Sequence, residues 1–118
     1  MKAQHVVFVD NTNTVTLNAL KNSVTDAYVN DATVEITVVD ENSQEVGGEV
    51  WPVTMSYVAG SDGVYRVSLS HDVLFEELRE YTAIVVAEAP DSSQAKWFEP
   101  LIAYDRSRET QLKGWFPK

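Results

Sequence analysis

The chain carries few side chains whose type and spacing could support catalysis. Its only histidines are His5 and His71. Nucleophilic catalysis needs a nucleophile, a base within hydrogen-bond reach and an acid that orients the base. The sequence has no Gly-x-Ser-x-Gly turn that would present a serine nucleophile. Both histidines are therefore interpreted as ordinary polar residues, and no catalytic residue is predicted.

Acidic residues are the other candidates for chemistry. Glu76-Glu77 and Asp40-Glu41 are adjacent pairs, whereas glycoside hydrolysis needs two carboxyl groups that flank a cleft at a set separation. Both pairs are interpreted as solvated acids. Calcium would bind where strand-end acids gather at one pole of a β-domain, and the acids that could do so are Asp26, Asp31, Asp62 and Asp105. Because they lack Asp-x-Asp-x-Asp spacing, no metal and no other cofactor is predicted.

Composition excludes several further classes of protein. There are no cysteines among the 118 residues, so disulfides and thiolate metal sites are excluded. The formal net charge of −9 would repel phosphate backbones and anionic lipid, which argues against nucleic-acid and membrane binding. No apolar run is long enough for a signal peptide or a membrane span, so synthesis in the cytoplasm is expected.

The elements that must carry any site are short strands. Polar and apolar residues alternate in 14–20, 31–40, 50–57, 63–69 and 81–88, and β-branched and aromatic types are frequent there. A short apolar run at 5–9 could pair with 14–20 as a hairpin. Pro52 cannot donate a ladder hydrogen bond, so the strand near it begins there or lies at an edge. A last strand is expected from about Lys96 to Tyr104.

One segment departs from this alternation. Asp72 is a plausible N-cap, and Leu74 and Leu78 are four residues apart, which predicts one or two turns of helix over 72–80. About seven short strands without a βαβ pattern favour a single all-β domain over residues 1–118: an immunoglobulin-like antiparallel sandwich with one short helical crossover. A five-stranded barrel is the competing arrangement.

The shared alternation predicts the core of this domain, because residues that face inward recur at every second position. The predicted core residues are Val34, Ile36, Val38, Trp51, Val53, Tyr65, Val67, Leu69, Tyr81, Ala83 and Val85.

Partner binding is predicted for aromatic and basic residues near the C-terminus. Trp97 and Phe98 are adjacent in a strand, so they must point to opposite faces and one of them is a candidate for exposure. Residues 105–118 form a candidate C-terminal tail, in which basic side chains accompany two aromatic ones in an otherwise acidic chain. Exposed aromatics and arginines often anchor interfaces, whereas a tail that folds back as a final edge strand would bury its aromatic pair; both interpretations stay open. The predicted partner-binding residues are Trp97, Arg106, Arg108, Trp115 and Phe116.

Three stretches carry a resemblance to a known group of proteins: Val29-Asn-Asp-Ala-Thr-Val34, Met55 to Tyr65, and the strand that opens at Tyr81. Over about residues 14–104 the chain resembles small Ig-like proteins of tailed phages and prophages. The resemblance implies a non-enzymatic structural or accessory protein of the virion, made in the bacterial cytoplasm. It would dock on a head, neck or tail assembly, or on further copies of itself.

A second interpretation stays open at this point. Residue-Ala-Thr-Val followed by Asp-Gly-x-Tyr also resembles bacterial Ig-like repeats. That resemblance implies a binding or adhesion module for a cell-surface protein or carbohydrate.

Overall fold

The structure is a computed structural model that describes residues 5–105. Its elements are seven strands, and no residue of this range is helical. Nothing in residues 5–105 forms a helix able to cross a membrane. The strands are β1 His5–Phe8, β2 Asn13–Leu17, β3 Thr33–Asp40, β4 Val53–Tyr57, β5 Tyr65–Leu69, β6 Glu80–Glu88 and β7 Gln94–Tyr104. The all-β prediction is confirmed.

The seven strands form one mixed sheet in the order β1-β7-β6-β3-β4-β5-β2. All neighbours are antiparallel except β1 and β7, which run parallel from the pair His5–Leu101 to the pair Phe8–Tyr104. β4 pairs with β3 on one side and with β5 on the other, and therefore joins the long strands to the short pair β2–β5. β6 lies between β7 and β3 and is therefore an interior strand of the sheet.

The expected hairpin of the first two strands is wrong. β1 pairs with β7 and β2 pairs with β5, so these consecutive strands occupy opposite edges of the sheet. Asn13 links them instead: its side-chain oxygen accepts from the Phe8 amide at 2.9 Å, and its side-chain nitrogen donates to the Phe8 carbonyl at 3.0 Å. A carboxamide can satisfy one donor and one acceptor in this way, which explains why the buried Asn13 is tolerated in the interior.

The core lies along the inward positions of β3, β5, β6 and β7. Eight of the predicted core residues are buried there: Val34, Ile36, Val38, Tyr65, Leu69, Tyr81, Ala83 and Val85. Trp51, Val53 and Val67 are half-buried and pack against this cluster. They lie on or beside the shorter strands, where fewer neighbours cover them. Trp51 precedes β4, and its indole nitrogen donates to the Val46 carbonyl at 2.7 Å. Strand β4 begins directly after Pro52, in agreement with the expectation.

The helix predicted over Asp72–Glu80 is wrong. Val73 and Phe75 are buried, while Leu74 and Leu78 are 65% and 60% exposed. This is the alternation of an extended segment, since a helix would bury Leu74 and Leu78 on one face. Leu78 also has a φ of +65°, which an α-helix does not permit. Its amide donates to the Ala103 carbonyl at 2.7 Å, so the segment is held against β7.

Gly63 closes the turn between β4 and β5 and fixes its position against another loop. Its φ is +69°, a conformation that glycine adopts in turns without steric cost. A Cβ at this position would lie 2.5 Å from the carbonyl oxygen of Leu20. The Gly63 carbonyl accepts from the Leu20 amide at 2.9 Å, and the Gly63 amide donates to the Asn30 side chain at 2.8 Å. The turn and the 18–32 loop therefore form one pole of the molecule.

Candidate functional site

The outward side of β1, β7, β6 and β3 is rich in apolar side chains. We call this surface the outer face. On β7, Trp97 and Leu101 point to the core, so Phe98 and Ile102 point outward. Phe98 is 57% exposed, Val6 is 45% exposed and Tyr104 is 38% exposed. The apolar residues of the outer face are Val6, Phe8, Val39, Ile84, Val86, Phe98, Pro100, Ile102 and Tyr104.

Strand pairing makes these side chains contiguous. Phe98 lies directly opposite Ile84 on β6, and Ile102 lies opposite Val6 on β1. Side chains of directly opposite residues on one face are in contact range. Lys96, two residues before Phe98, places its Nζ 5.9 Å from the centre of the Phe98 ring. These side chains form an apolar surface centred on β7 and β6, with a cation beside its most exposed aromatic ring. The same outward side also carries Thr82 and three acids, Glu35 on β3 and Glu80 and Glu88 at the ends of β6.

The outward side of β2, β5 and β4 has the opposite character. Its cross-strand pairs are Thr14–Ser68 and Thr16–Arg66, and Ser56 on β4 also pairs with Arg66. The Thr14 and Ser68 hydroxyls are 3.4 Å apart, and the Arg66 Nε donates to the Thr16 hydroxyl at 3.4 Å. Such polar pairs are typical of a sheet face that contacts water. The two outward faces of the same sheet therefore differ sharply in polarity.

Trp97 points into a cleft on the inner side of the sheet. The cleft has a volume of about 420 Å³ and lies between β2 on one side and β1 with β7 on the other. Its floor is apolar and includes Ile36, Val38 and Val85. We call it the β2 cleft. Trp97 is half-buried and packs against the core, whereas Phe98 is exposed, so the prediction of opposite faces is confirmed.

A second concavity of about 430 Å³ lies at the loop pole, between the loop after β2 and the loop that joins β6 to β7. Its polar lining residues include Lys21, Asp91 and Ser93. The Lys21 Nζ lies 4.9 Å from the centre of the Tyr28 ring and 3.5 Å from a carboxylate oxygen of Asp26. Hydrogen bonds from the Ser93 backbone and side chain lower the pKa of Asp91. The lining of this concavity therefore carries a basic and an acidic side chain, Lys21 and Asp91, and Tyr28 lies next to it, against Lys21.

The residues considered for chemistry lie apart in the structure. His5 Nε2 is 3.8 Å from Glu99 on β7, and His71 Nε2 is 3.4 Å from the adjacent Asp72. Within residues 5–105, no three histidine or acidic side chains come together in a way that could hold a metal ion. The acids of the calcium hypothesis therefore do not gather in threes in this part of the chain.

Arg79 binds three acids from two loops. Its guanidinium contacts Glu41 at 2.5 Å, Glu76 at 2.8 Å and Asp40 at 3.8 Å. The hydrogen bond to Glu41 is the main cause of a raised pKa for Arg79. The pKa of Asp40 is lowered, first by the Gln44 amide that its carboxylate accepts at 3.0 Å and then by the Asn42 amide. Through Asp40 and Glu41, Arg79 thus fastens the segment before β6 to the turn after β3.

Most of the predicted partner-binding residues lie outside the described range. Arg106, Arg108, Trp115 and Phe116 belong to residues 106–118, and their role stays a prediction. Of the predicted set, the structure describes only Trp97, and places it in the β2 cleft. The outer face was not predicted as a site. The sequence of β6 could have indicated this surface, because Ile84 and Val86 make the strand apolar on its outward side as well as on its inward side.

Comparisons with known proteins give no family. No protein-family model matches the chain, and no curated protein matches it. Among solved structures, the chain is similar to a crystal structure of a candidate glycoside hydrolase from Bacteroides vulgatus ATCC 8482, with a TM-score of 0.48 and 12% identity. The match covers 87% of this chain and 17% of that one, so the chain spans a small part of that protein.

Proposed function

We propose that this chain is a non-enzymatic docking domain that binds another protein through the outer face. The observation that supports this proposal is the contrast between the two outward sheet faces. Phe98 and Val6 are exposed on one face, and threonine and serine residues occupy the other. Folding alone does not require large apolar side chains in water. Contiguous apolar patches of this kind mark interaction sites, because their burial against a partner is favourable.

The proposed setting is the virion of a tailed phage or prophage, with a head, neck or tail assembly as the partner. The support is the resemblance of residues 14–104 to small Ig-like virion proteins. The docking surface also suits a strongly acidic chain. Lys96 is the cation beside Phe98, and the acids of the outer face, Glu35, Glu80 and Glu88, lie on β3 and at the ends of β6. None of them is directly opposite Phe98, so the net charge of −9 is not concentrated beside this ring.

The proposed arrangement of the strands is an immunoglobulin-like sandwich, in which β1 to β7 correspond to strands A to G. In such domains B pairs with E, and C, F and G form the opposite sheet. The pairing of β2 with β5 and the order β3-β6-β7 support this assignment. The Tyr81 hydroxyl gives further support: it accepts from the Glu76 amide at 2.7 Å, five residues upstream. A tyrosine near the start of strand F that bonds back to the upstream backbone is a hallmark of these domains.

The test of the docking proposal is detection of the chain in purified phage particles from a host that carries its gene. Phe98→Asp should reduce incorporation strongly, because it places a charge at the centre of the outer face. Ser68→Asp is the matched control on the polar face and should incorporate like the wild type. Thermal melts of both purified variants separate lost docking from lost folding. Absence of the wild-type chain from the particles, or equal incorporation of Phe98→Asp, would refute the proposal.

A second candidate function is adhesion to a cell-surface protein or carbohydrate. The concavity at the loop pole favours it, since loops at one end of a rigid β-domain commonly carry recognition. Tyr28 is 43% exposed next to Lys21, and aromatic rings beside polar groups suit sugar rings. Binding to a glycan array that is lost in Tyr28→Ala and kept in Phe98→Asp would select this function over virion docking.

A further inference from the structure

The outer edge of β2 has no strand partner in the described part of the chain. β2 pairs with β5 over five residues, from Asn13–Leu69 to Leu17–Tyr65. It is the last strand of the sheet, so none of the other strands in residues 5–105 pairs with its second edge. An open edge presents a row of backbone donors and acceptors that can bind another extended chain.

The sequence of β2 does not protect this edge. Natural edge strands are commonly blocked by a lysine, a proline, an inward-pointing charge or a bulge. β2 reads Asn-Thr-Val-Thr-Leu and contains no charged residue and no proline. Its register with β5 is continuous and has no bulge. The edge therefore keeps full capacity for strand pairing, in a chain where 23% of the residues are charged.

An apolar cleft lies directly beside the edge. Val15 and Leu17 on β2 line the β2 cleft, together with floor residues such as Met55 and Ala83. A volume of about 420 Å³ falls within the range of about 300–1,000 Å³ that is typical of binding sites. A strand added to β2 would point alternate side chains into this space, since side chains of a strand alternate between faces.

We propose that the β2 cleft binds one extended segment of a protein partner, which adds to β2 as a strand and fills the cleft with apolar residues at alternate positions. Main-chain hydrogen bonds to the β2 edge would supply affinity, and the cleft would select the side chains. The cleft shares only Val6 with the named apolar residues of the outer face, and this proposal does not depend on the function proposed for that face.

The shape of the cleft favours a single segment over a folded partner. The side opposite β2 is formed by β1 and β7, including Val7, Trp97 and Leu101. Because the two sides face each other across an apolar floor, the alternate inward side chains of one extended chain could contact both of them. The uncharged edge and apolar floor indicate a segment that alternates polar and apolar residues.

The test uses the full chain and a labelled synthetic peptide of residues 64–70, Val-Tyr-Arg-Val-Ser-Leu-Ser. This peptide contains β5, the strand that pairs with the other edge of β2. Fluorescence anisotropy should show saturable binding at up to millimolar peptide. Hydrogen exchange should show added protection of amides in residues 13–17. A scrambled peptide, with its apolar residues grouped together, should bind at least about tenfold more weakly.

Two variants locate the site. Val15→Lys places a charge in the cleft, and Ala83→Leu fills it from the floor without changing β2. Each should weaken peptide binding at least about tenfold, and Phe98→Asp should leave it unchanged. Thermal melts show which of the two variants fold, and one folded variant is enough for the test.

Several results would overturn the proposal. One is the absence of binding at millimolar peptide, and another is the absence of added amide protection in residues 13–17. Equal binding of the scrambled peptide would also overturn it, because it would indicate a site for small apolar groups. A peptide-free dimer that Val15→Lys abolishes would assign the edge to a second copy instead.

Discussion

The Tyr65 hydroxyl joins the middle of the sheet to the loop pole by donating to the Val29 carbonyl at 2.8 Å, across 36 residues of sequence. The same oxygen accepts from the Ala32 amide at 3.1 Å. Tyr65 is buried, and this burial raises the pKa of its phenol. One inward side chain of β5 therefore fixes the end of the loop that leads into β3.

Tyr65→Phe should destabilise the domain, because it leaves the Val29 carbonyl and the Ala32 amide without their partner. Each buried group left without a partner lowers the free energy of unfolding by about 1–3 kcal/mol. Because both hydrogen bonds are only part-buried, we expect a total loss of about 2 kcal/mol. Urea unfolding measures the free energy of unfolding. Tyr104→Phe, at the exposed end of β7, is the matched control and should leave the midpoint almost unchanged. A Tyr65→Phe midpoint equal to that of the control would show that the two hydrogen bonds do not stabilise the fold.

Core burial predicts a graded response to truncation. Ile36 is fully buried on β3, and Ile36→Ala should cost about 2–4 kcal/mol from lost burial and the cavity left behind. Val67 is half-buried on β5, so Val67→Ala should cost about 1 kcal/mol. Urea midpoints of the two variants compare them directly. A larger loss for Val67→Ala would mean that the inward register of β5 is wrong.

The lowered pKa of Asp40 predicts a stability that depends on pH. A carboxyl group whose pKa is lowered on folding stabilises the native state above its unfolded pKa of about 3.9. That contribution is lost as the pH falls through the lower folded pKa. Melting temperatures should therefore be lower for Asp40→Asn than for the wild type at pH 7. The two should converge as the pH is lowered below the usual range of aspartate.

Asp62→Asn provides the control for that measurement, since Asp62 is an exposed residue in the turn before β5. It should follow the wild type across the pH range. A constant difference between Asp40→Asn and the wild type down to the lowest pH would exclude the carboxylate charge as its cause.

The sequence predicted strands well where alternation was long and regular. Val34, Ile36 and Val38 alternate with polar residues, and all three are buried. It failed where two periods competed. Leu74 and Leu78 have helical spacing, but Val73 and Phe75 are the residues that are buried. The segment is extended, and the Leu78 amide donates to the Ala103 carbonyl on β7. The strand partners could not be predicted either. Alternation in β1 and β2 determines which side chains face inward, but it does not determine which strand each of them pairs with.

The sites were less predictable than the strands. Exposure of Phe98 depends on what covers a sheet face, and alternation shows only that Trp97 and Phe98 differ. The β2 cleft lies between β2 (Asn13–Leu17) and β7 (Gln94–Tyr104), which are far apart in the sequence. Neither property is encoded in a local pattern.

The central claim is that the outer face docks on a virion protein, and site-specific photocrosslinking tests it most directly. A photoreactive phenylalanine analogue would replace Phe98 in one preparation and Arg66, on the polar face, in another. After irradiation of purified phage particles, we expect a crosslink to a virion protein from position 98 and none from position 66. Equal crosslinking from both positions, or none from position 98 in particles that contain the chain, would contradict the account.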